Sequence, residues 1–269
     1  MECCMATEYE DLLIEQRGGV ALVKLNRPEA LNSWGGVMQE ELIAYLQACN
    51  RGEYETRAIV LTGEGRAFSA GGNVKSFPAA NPDKKRPPWH PPHPHLALVN
   101  AMRECDVPII GAVNGYAVGM GWGVALACDI VIAASDAIFQ VAQTKRGIVA
   151  DSGLSYFLPR AVGNQRALDL MFTGRRIGAA EALQYGALLE VVEPSELIER
   201  ALEIAEGVAS GPPLSAAGHK KLVYMVEDED FTRVQEMTGM IVDKLFLSED
   251  GAEGVKSFVE RREPVFSGR

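Results

Sequence analysis

The run VPIIGAVNGYAVGMGWGVALAC, residues 107–128, carries no charged residue and is long enough to cross a bilayer. Its reading decides the fold. Five glycines (Gly111, Gly115, Gly119, Gly121, Gly123) and the Asn114-Gly115 turn signal interrupt it, and Asp129 follows at once. Broken at those points, it reads as a strand ending near Val113, a turn, and an apolar helix from about Gly119 to Cys128, all inside a globular core rather than in lipid.

Outward from this run, short apolar stretches at 20–25, 58–61, 108–113 and 130–134 are each bounded by Gly, Asn, Pro or a charge, and read as strands. Between them, 37–50 and 96–105 place apolar residues at helical spacing. Alternating strand and helix favour an α/β fold with a parallel sheet, because parallel neighbours need long crossover connections. From Arg166 onward helical patterns dominate (166–172, 179–185, 196–209, 214–224, 231–247, 251–262), with only 188–192 extended. The expected organisation is an α/β core over residues 1–195 and a helical carboxy-terminal region over 196–269. The segment 78–94, dense in Pro, Lys and His, reads as a loop.

Composition narrows the function. Of 269 residues, 47% are hydrophobic and 23% charged, the balance of a globular protein. With 26 Lys+Arg against 36 Asp+Glu the formal charge is −10, which repels nucleic acid and acidic membranes, so neither is an expected partner. Cys3, Cys4, Cys49, Cys105 and Cys128 lack metal-ligand spacing, and a reducing cytoplasm is the expected compartment. No metal is expected either, because the prolines between His90, His93 and His95 fit no helical or hairpin ligand geometry. No Gly-x-Ser-x-Gly elbow accompanies a histidine, so a serine-hydrolase triad is not expected.

Two glycine-rich loops can carry chemistry. Ala67-Phe68-Ser69-Ala70-Gly71-Gly72-Asn73 follows the 58–61 strand, and Asn114 to Gly123 lies ahead of the apolar helix. Small residues let a ligand approach the backbone, and a helix starting near Gly119 aims unpaired N–H groups at what lies before it. Facing each other, two such loops form an oxyanion hole for a developing enolate charge.

At this point the sequence resembles the crotonase, or enoyl-CoA hydratase/isomerase, superfamily. The matching segments are Asn26-Arg27-Pro28-Glu29-Ala30-Leu31-Asn32, Ala58 to Gly63, Ala67 to Asn73, Ala112 to Ala117, Ala127 to Ile130, Leu158 to Gly163, Phe172 to Gly174 and Glu253 to Arg262. They span nearly the whole chain. The resemblance implies a spiral of ββα units with a helical trimerisation region, a homotrimer or homohexamer, and an acyl-CoA thioester as substrate, with no cofactor beyond the coenzyme A the substrate carries. By position it assigns the oxyanion amides to Ala70 and Met120. It places Ala30, Gly71, Gly72, Asn73, Gly123 and Gln143 around the substrate, and Phe258 and Arg261 on the tail, where relatives touch the CoA of an adjacent subunit.

Departures from the family pattern point to the reaction. Hydratases of the family activate water with two glutamates, and those positions here hold Gly123 and Gln143, neither of which takes up a proton at neutral pH. Asp151 stands where ring-epoxide and oxepin-forming isomerases of phenylacetate degradation, and dienoyl-CoA isomerases, carry an aspartate. One carboxylate suffices to move a proton along a conjugated acyl chain. The expected function is therefore an acyl-CoA isomerase with Asp151 as the base. The alternatives are a hydratase or acyl-CoA hydrolase using Asp151 with Gln143, and an acyl-CoA-binding protein without turnover. From the residues alone, Asp151 also reads as the cap of a helix starting at Ser152.

Overall fold

A computed structural model describes residues 9–73 and 94–269. The chain runs β1 (Leu12–Arg17), β2 (Val20–Leu25), α1 (Met38–Asn50), β3 (Ala58–Gly63), β4 (Ala67–Ser69), α2 (Pro94–Glu104), β5 (Ile109–Val113), β6 (Tyr116–Val118) and α3 (Met120–Ala127). It continues through β7 (Ile130–Ala134), β8 (Ile138–Gln140), α4 (Leu154–Val162), α5 (Asn164–Thr173), β9 (Arg176–Gly178), α6 (Ala179–Tyr185), β10 (Glu190–Val192), α7 (Leu197–Ala209), α8 (Pro213–Met225), α9 (Phe231–Phe246) and α10 (Glu249–Glu260).

Two sheets organise these elements. One has the order β1-β2-β3-β5-β7-β10 and the other β4-β6-β8-β9. Each strand of the pairs β3–β4, β5–β6 and β7–β8 has one member in each sheet, and a helix follows each pair. This repeat is a spiral of ββα units. Sequence order and space order agree, so the large sheet grows by parallel pairing from β2 to β10, with β1 alone antiparallel.

The central strands β2, β3, β5 and β7 of this sheet are buried on both faces, as their continuous apolar runs demand. Alternation by two residues separates the faces. Ala21, Val23, Leu25, Ile59 and Leu61 point into one core with α1, α2 and α3, while Val20, Leu22, Ala58, Val60, Ile110, Ala112 and Ile132 meet α7. The contact face of α7 is Leu197, Ala201, Leu202 and Ala205, whose two alanines let the helix lie close to the sheet.

The apolar run from Val107 is β5, β6 and the start-to-end body of α3, with Trp122 fully buried against Phe139. Among the described residues no helix is long and apolar enough to cross a membrane. The short strands β4 and β6 lie where the sequence suggests plain loops; they pair in parallel across the second sheet. The helix expected to begin at Ser152 begins at Leu154, because Ser152 and Gly153 both adopt positive φ. Of the 78–94 segment, only Pro94 lies within the described residues, at the start of α2, so His90 and His93 fall outside them.

Candidate active site

Asn32 builds the first wall. Its buried side chain donates to the carbonyls of Glu64 (2.9 Å) and Ala67 (2.7 Å) and accepts from the Arg27 N–H, while Ser69 Oγ donates to its carbonyl. The Asn26 to Asn32 turn is thereby sewn to the Ala67 to Asn73 loop. Beyond it, Trp34 bridges Gly72 in parallel: Trp34 N–H donates to Gly71 O (2.8 Å) and Asn73 N–H to Trp34 O (3.1 Å). In such a bridge the residue opposite Trp34 turns its own N–H the other way. The Gly72 N–H accordingly has no hydrogen-bond partner among the described residues.

The parity of this bridge corrects one assignment. The N–H of Ala70 donates to Leu31 O at 2.9 Å, so it is bound within the protein and is not a free oxyanion donor. Gly72, two residues on, supplies the free N–H in the same loop.

Across the cleft, α3 provides the second wall. Met120 is its first residue, a position whose N–H has no acceptor within the helix, and no described group accepts from it. Its side chain is buried away from solvent. The two loops touch closely: a β-carbon on Gly71, whose φ is +89°, would lie 2.4 Å from Val118 O and 3.4 Å from the Met120 nitrogen. Only glycine permits that approach.

Ala70, Gly71, Gly72, Gly119, Met120, Ala142, Gln143, Arg146, Ile148 and Asp151 line one cleft of about 90 Å³. Six residues singled out from the sequence (Ala70, Gly71, Gly72, Met120, Gln143 and Asp151) thus converge. The half-buried Asp151 carboxylate accepts from Gln143 Nε2 at 2.8 Å, and its side chain caps no helix. Near Asp151 along the chain, Ile148 and Val149 are exposed and Leu154 is buried. Gln143 is buried, with Oε1 lacking a partner among the described residues.

Other candidates stand apart. Gly123 does not line the cleft; it packs against the Ser152 backbone. Ala30 ends the 3-10 turn next to Leu31. Phe258 and Arg261 are exposed at the end of α10 and belong to no wall of this cleft within the chain.

Composition alone did not reveal a second recess, of about 640 Å³, that shares Ala70, Ala142 and Arg146 with the cleft. Arg66, Lys145, Arg146 and Arg176 line it without an acidic residue, and none of the four forms an ion pair among the described residues. The Lys145-Arg146 doublet was the signal available in the sequence. The described cysteines offer no nucleophile: Cys49, Cys105 and Cys128 are free and buried, and burial pushes the Cys49 thiol up to about 11 and raises the other two. Among the described residues no cluster of His, Cys, Asp or Glu could hold a metal ion.

Comparison with known proteins gives the family. Residues 15–269 match the family described as Enoyl-CoA hydratase/isomerase. A probable enoyl-CoA hydratase of Rhodobacter capsulatus is 35% identical over 264 residues, covering 97% of this chain and 99% of that protein. The (E)-benzylidenesuccinyl-CoA hydratase of Thauera aromatica is 36% identical over 267 residues, 95% of this chain and 98% of its own. A crystal structure of an enoyl-CoA hydratase from Bacillus anthracis superposes with a TM-score of 0.87 at 32% identity, covering 97% of this chain and all of the other.

Proposed function

The chain belongs to the enoyl-CoA hydratase/isomerase family, and we propose that it is the isomerase kind: an enzyme that moves a double bond along an unsaturated acyl-CoA. The observation that carries this reading is a single carboxylate, Asp151, in a cleft that also presents two unpartnered backbone N–H groups, those of Gly72 and Met120.

The chemistry balances with these groups alone. The thioester carbonyl oxygen accepts from Gly72 N–H and Met120 N–H. Asp151 takes a proton from a carbon of the acyl chain, the C–H electron pair enters the conjugated system, and the negative charge settles on the held oxygen as a dienolate. The resulting Asp151 carboxyl returns the proton at another carbon. The carbonyl re-forms with the double bond shifted, and nothing is gained or lost. The basic recess beside the cleft suits the phosphates of the CoA carrier, which a chain of net charge −10 must hold locally. No further cofactor enters the scheme.

A hydratase is the second reading, favoured by the printed names of the relatives. Against it stands the shortage of a second proton carrier, since Gln143 is an amide and Gly123 has no side chain. Incubation with 2-enoyl- and 3-enoyl-CoAs, followed by mass spectrometry, separates the two. Isomerisation leaves the mass unchanged and, in deuterated water, introduces deuterium at the α- or γ-carbon. A product heavier by one water, or a free acid, overturns the proposal in favour of the hydratase or hydrolase. Tight thioester binding without exchange or turnover overturns it in favour of a binding protein.

A further inference from the structure

The turn that carries Asp151 is held under unusual constraint. Ser152 is fully buried in the left-handed region at φ +52°, where serine is uncommon, and its hydroxyl has no partner among the described residues. Facing it inside α3 is Gly123, a residue that weakens a helix. One contact accounts for both features. A β-carbon built on Gly123 would stand 2.2 Å from the Ser152 carbonyl oxygen and 3.5 Å from Leu154 Cγ. The obstructing atom is backbone and cannot swing aside as a side-chain tip can. The Asp151-Ser152-Gly153 turn therefore lies against α3 at a point where the helix has no side chain.

We propose that Gly123 is a positioning residue: its bare backbone seats the turn and so sets where the Asp151 carboxylate stands, leaving Gln143 to fix the carboxylate's rotation through its 2.8 Å hydrogen bond. The inference rests on reading Asp151 as the proton carrier. It has a consequence for the reaction type. A glutamate at position 123 does not add a second acid to this site; its Cβ displaces the acid already there. The one-carboxylate site is built into the packing of α3 against the turn.

The test is steady-state turnover of an unsaturated acyl-CoA by Gly123→Ala, Asp151→Glu, their double variant and Asp151→Asn, with circular dichroism confirming the fold. Gly123→Ala is expected to lower kcat by roughly tenfold or more while KM stays within about twofold, because a misplaced acid loses transition-state contact and not ground-state binding. Asp151→Glu alone lowers kcat, yet in the Gly123→Ala background the longer acid raises it. That reversal of sign is a coupling a purely structural role does not produce. Wild-type kcat in folded Gly123→Ala, or the same effect of Asp151→Glu in both backgrounds, overturns the proposal. If Gly123→Ala does not fold, Gly123→Ala/Ser152→Gly, in which the 152–153 peptide can turn its carbonyl away from the new methyl, is expected to fold and to regain kcat toward wild type; a kcat still roughly tenfold down in the folded double variant overturns the proposal. Failure of the underlying reading shows separately, as wild-type turnover by Asp151→Asn.

Discussion

At the scale of single residues, the site depends on which backbone N–H groups are left without partners. Met120 permits a clean test, because the first position of a helix tolerates proline, whose missing N–H costs the helix nothing there. Met120→Pro removes one oxyanion donor and is expected to lower kcat by roughly 10²- to 10³-fold, while Met120→Ala, which keeps the N–H, retains most of the activity. Equal kcat in the two variants, measured with an unsaturated acyl-CoA, counts against a donor at this position. Asp151→Asn keeps shape and the reach to Gln143 but cannot take a proton, and is expected to cost roughly 10²- to 10⁴-fold in kcat with binding preserved. Both donor loops were legible in the sequence from their glycines, but within the first loop the choice between Ala70 and Gly72 was not. That choice is made by the parity of pairing with Trp34, nearly forty positions upstream, and the Leu31 carbonyl consumes the N–H that motif position favours.

Among the elements, α8 is fastened to the core by an ion pair between the buried Lys220 and the partly buried Asp129 rather than by apolar packing alone. Lys220 donates to Asp129 Oδ2 at 2.8 Å and to Met102 O at 3.1 Å, Tyr224 donates to the other Asp129 oxygen, and Asp129 also accepts from Ile109 N–H at the first residue of β5. Burial raises the Tyr224 hydroxyl well above its ordinary range, so it remains a donor. The Arg103 guanidinium covers the Tyr224 ring and pairs with Glu227. Lys220→Met leaves the partly buried Asp129 carboxylate without its cation, and is expected to cost about 1.5–3 kcal/mol, the worth of a hydrogen bond to a charged group, read as a lower midpoint in denaturant unfolding. An unchanged midpoint means that α8 is held by its other contacts. Most long elements here were legible because each has a clear period. Helix α4 was legible except for its start, because Gly153 at φ +83° begins it two residues later than the serine and aspartate suggest. Strands β4, β6, β8 and β9 are three residues each, too short for a periodicity to declare itself.

On the scale of the whole molecule, charge and exposed apolar surface both point outward to partners. Clustering Arg66, Lys145, Arg146 and Arg176 on a chain of net charge −10 makes a local field of opposite sign beside the cleft. Arg176→Ser, outside the cleft itself, is expected to raise KM for an acyl-CoA by roughly tenfold with kcat unchanged, the loss of one charge-assisted hydrogen bond. A matching acyl-pantetheine thioester, which lacks the nucleotide, should show no such change; a parallel rise with both substrates detaches the recess from CoA binding. The helical end of the chain poses the complementary question. Leu247 is 89% exposed and Phe258 84%, and Phe231, Phe246 and Val259 are also open to solvent on α9, α10 and the turn between them. A soluble monomer rarely shows so many large apolar side chains on neighbouring elements, because each leaves water structured against hydrocarbon. The trimer or hexamer implied by the family resemblance would cover such a surface and bring Phe258 and Arg261 of one subunit toward the cleft of another. Light scattering is expected to give three or six times the 29.1 kDa chain mass. Leu247→Asp is expected to lower that mass to the monomer and Phe258→Asp to raise KM, since the first strips an apolar contact and the second sets a negative charge beside phosphate. A wild-type protein that scatters as a monomer leaves the apolar face without the proposed cover and confines the site to residues of a single chain.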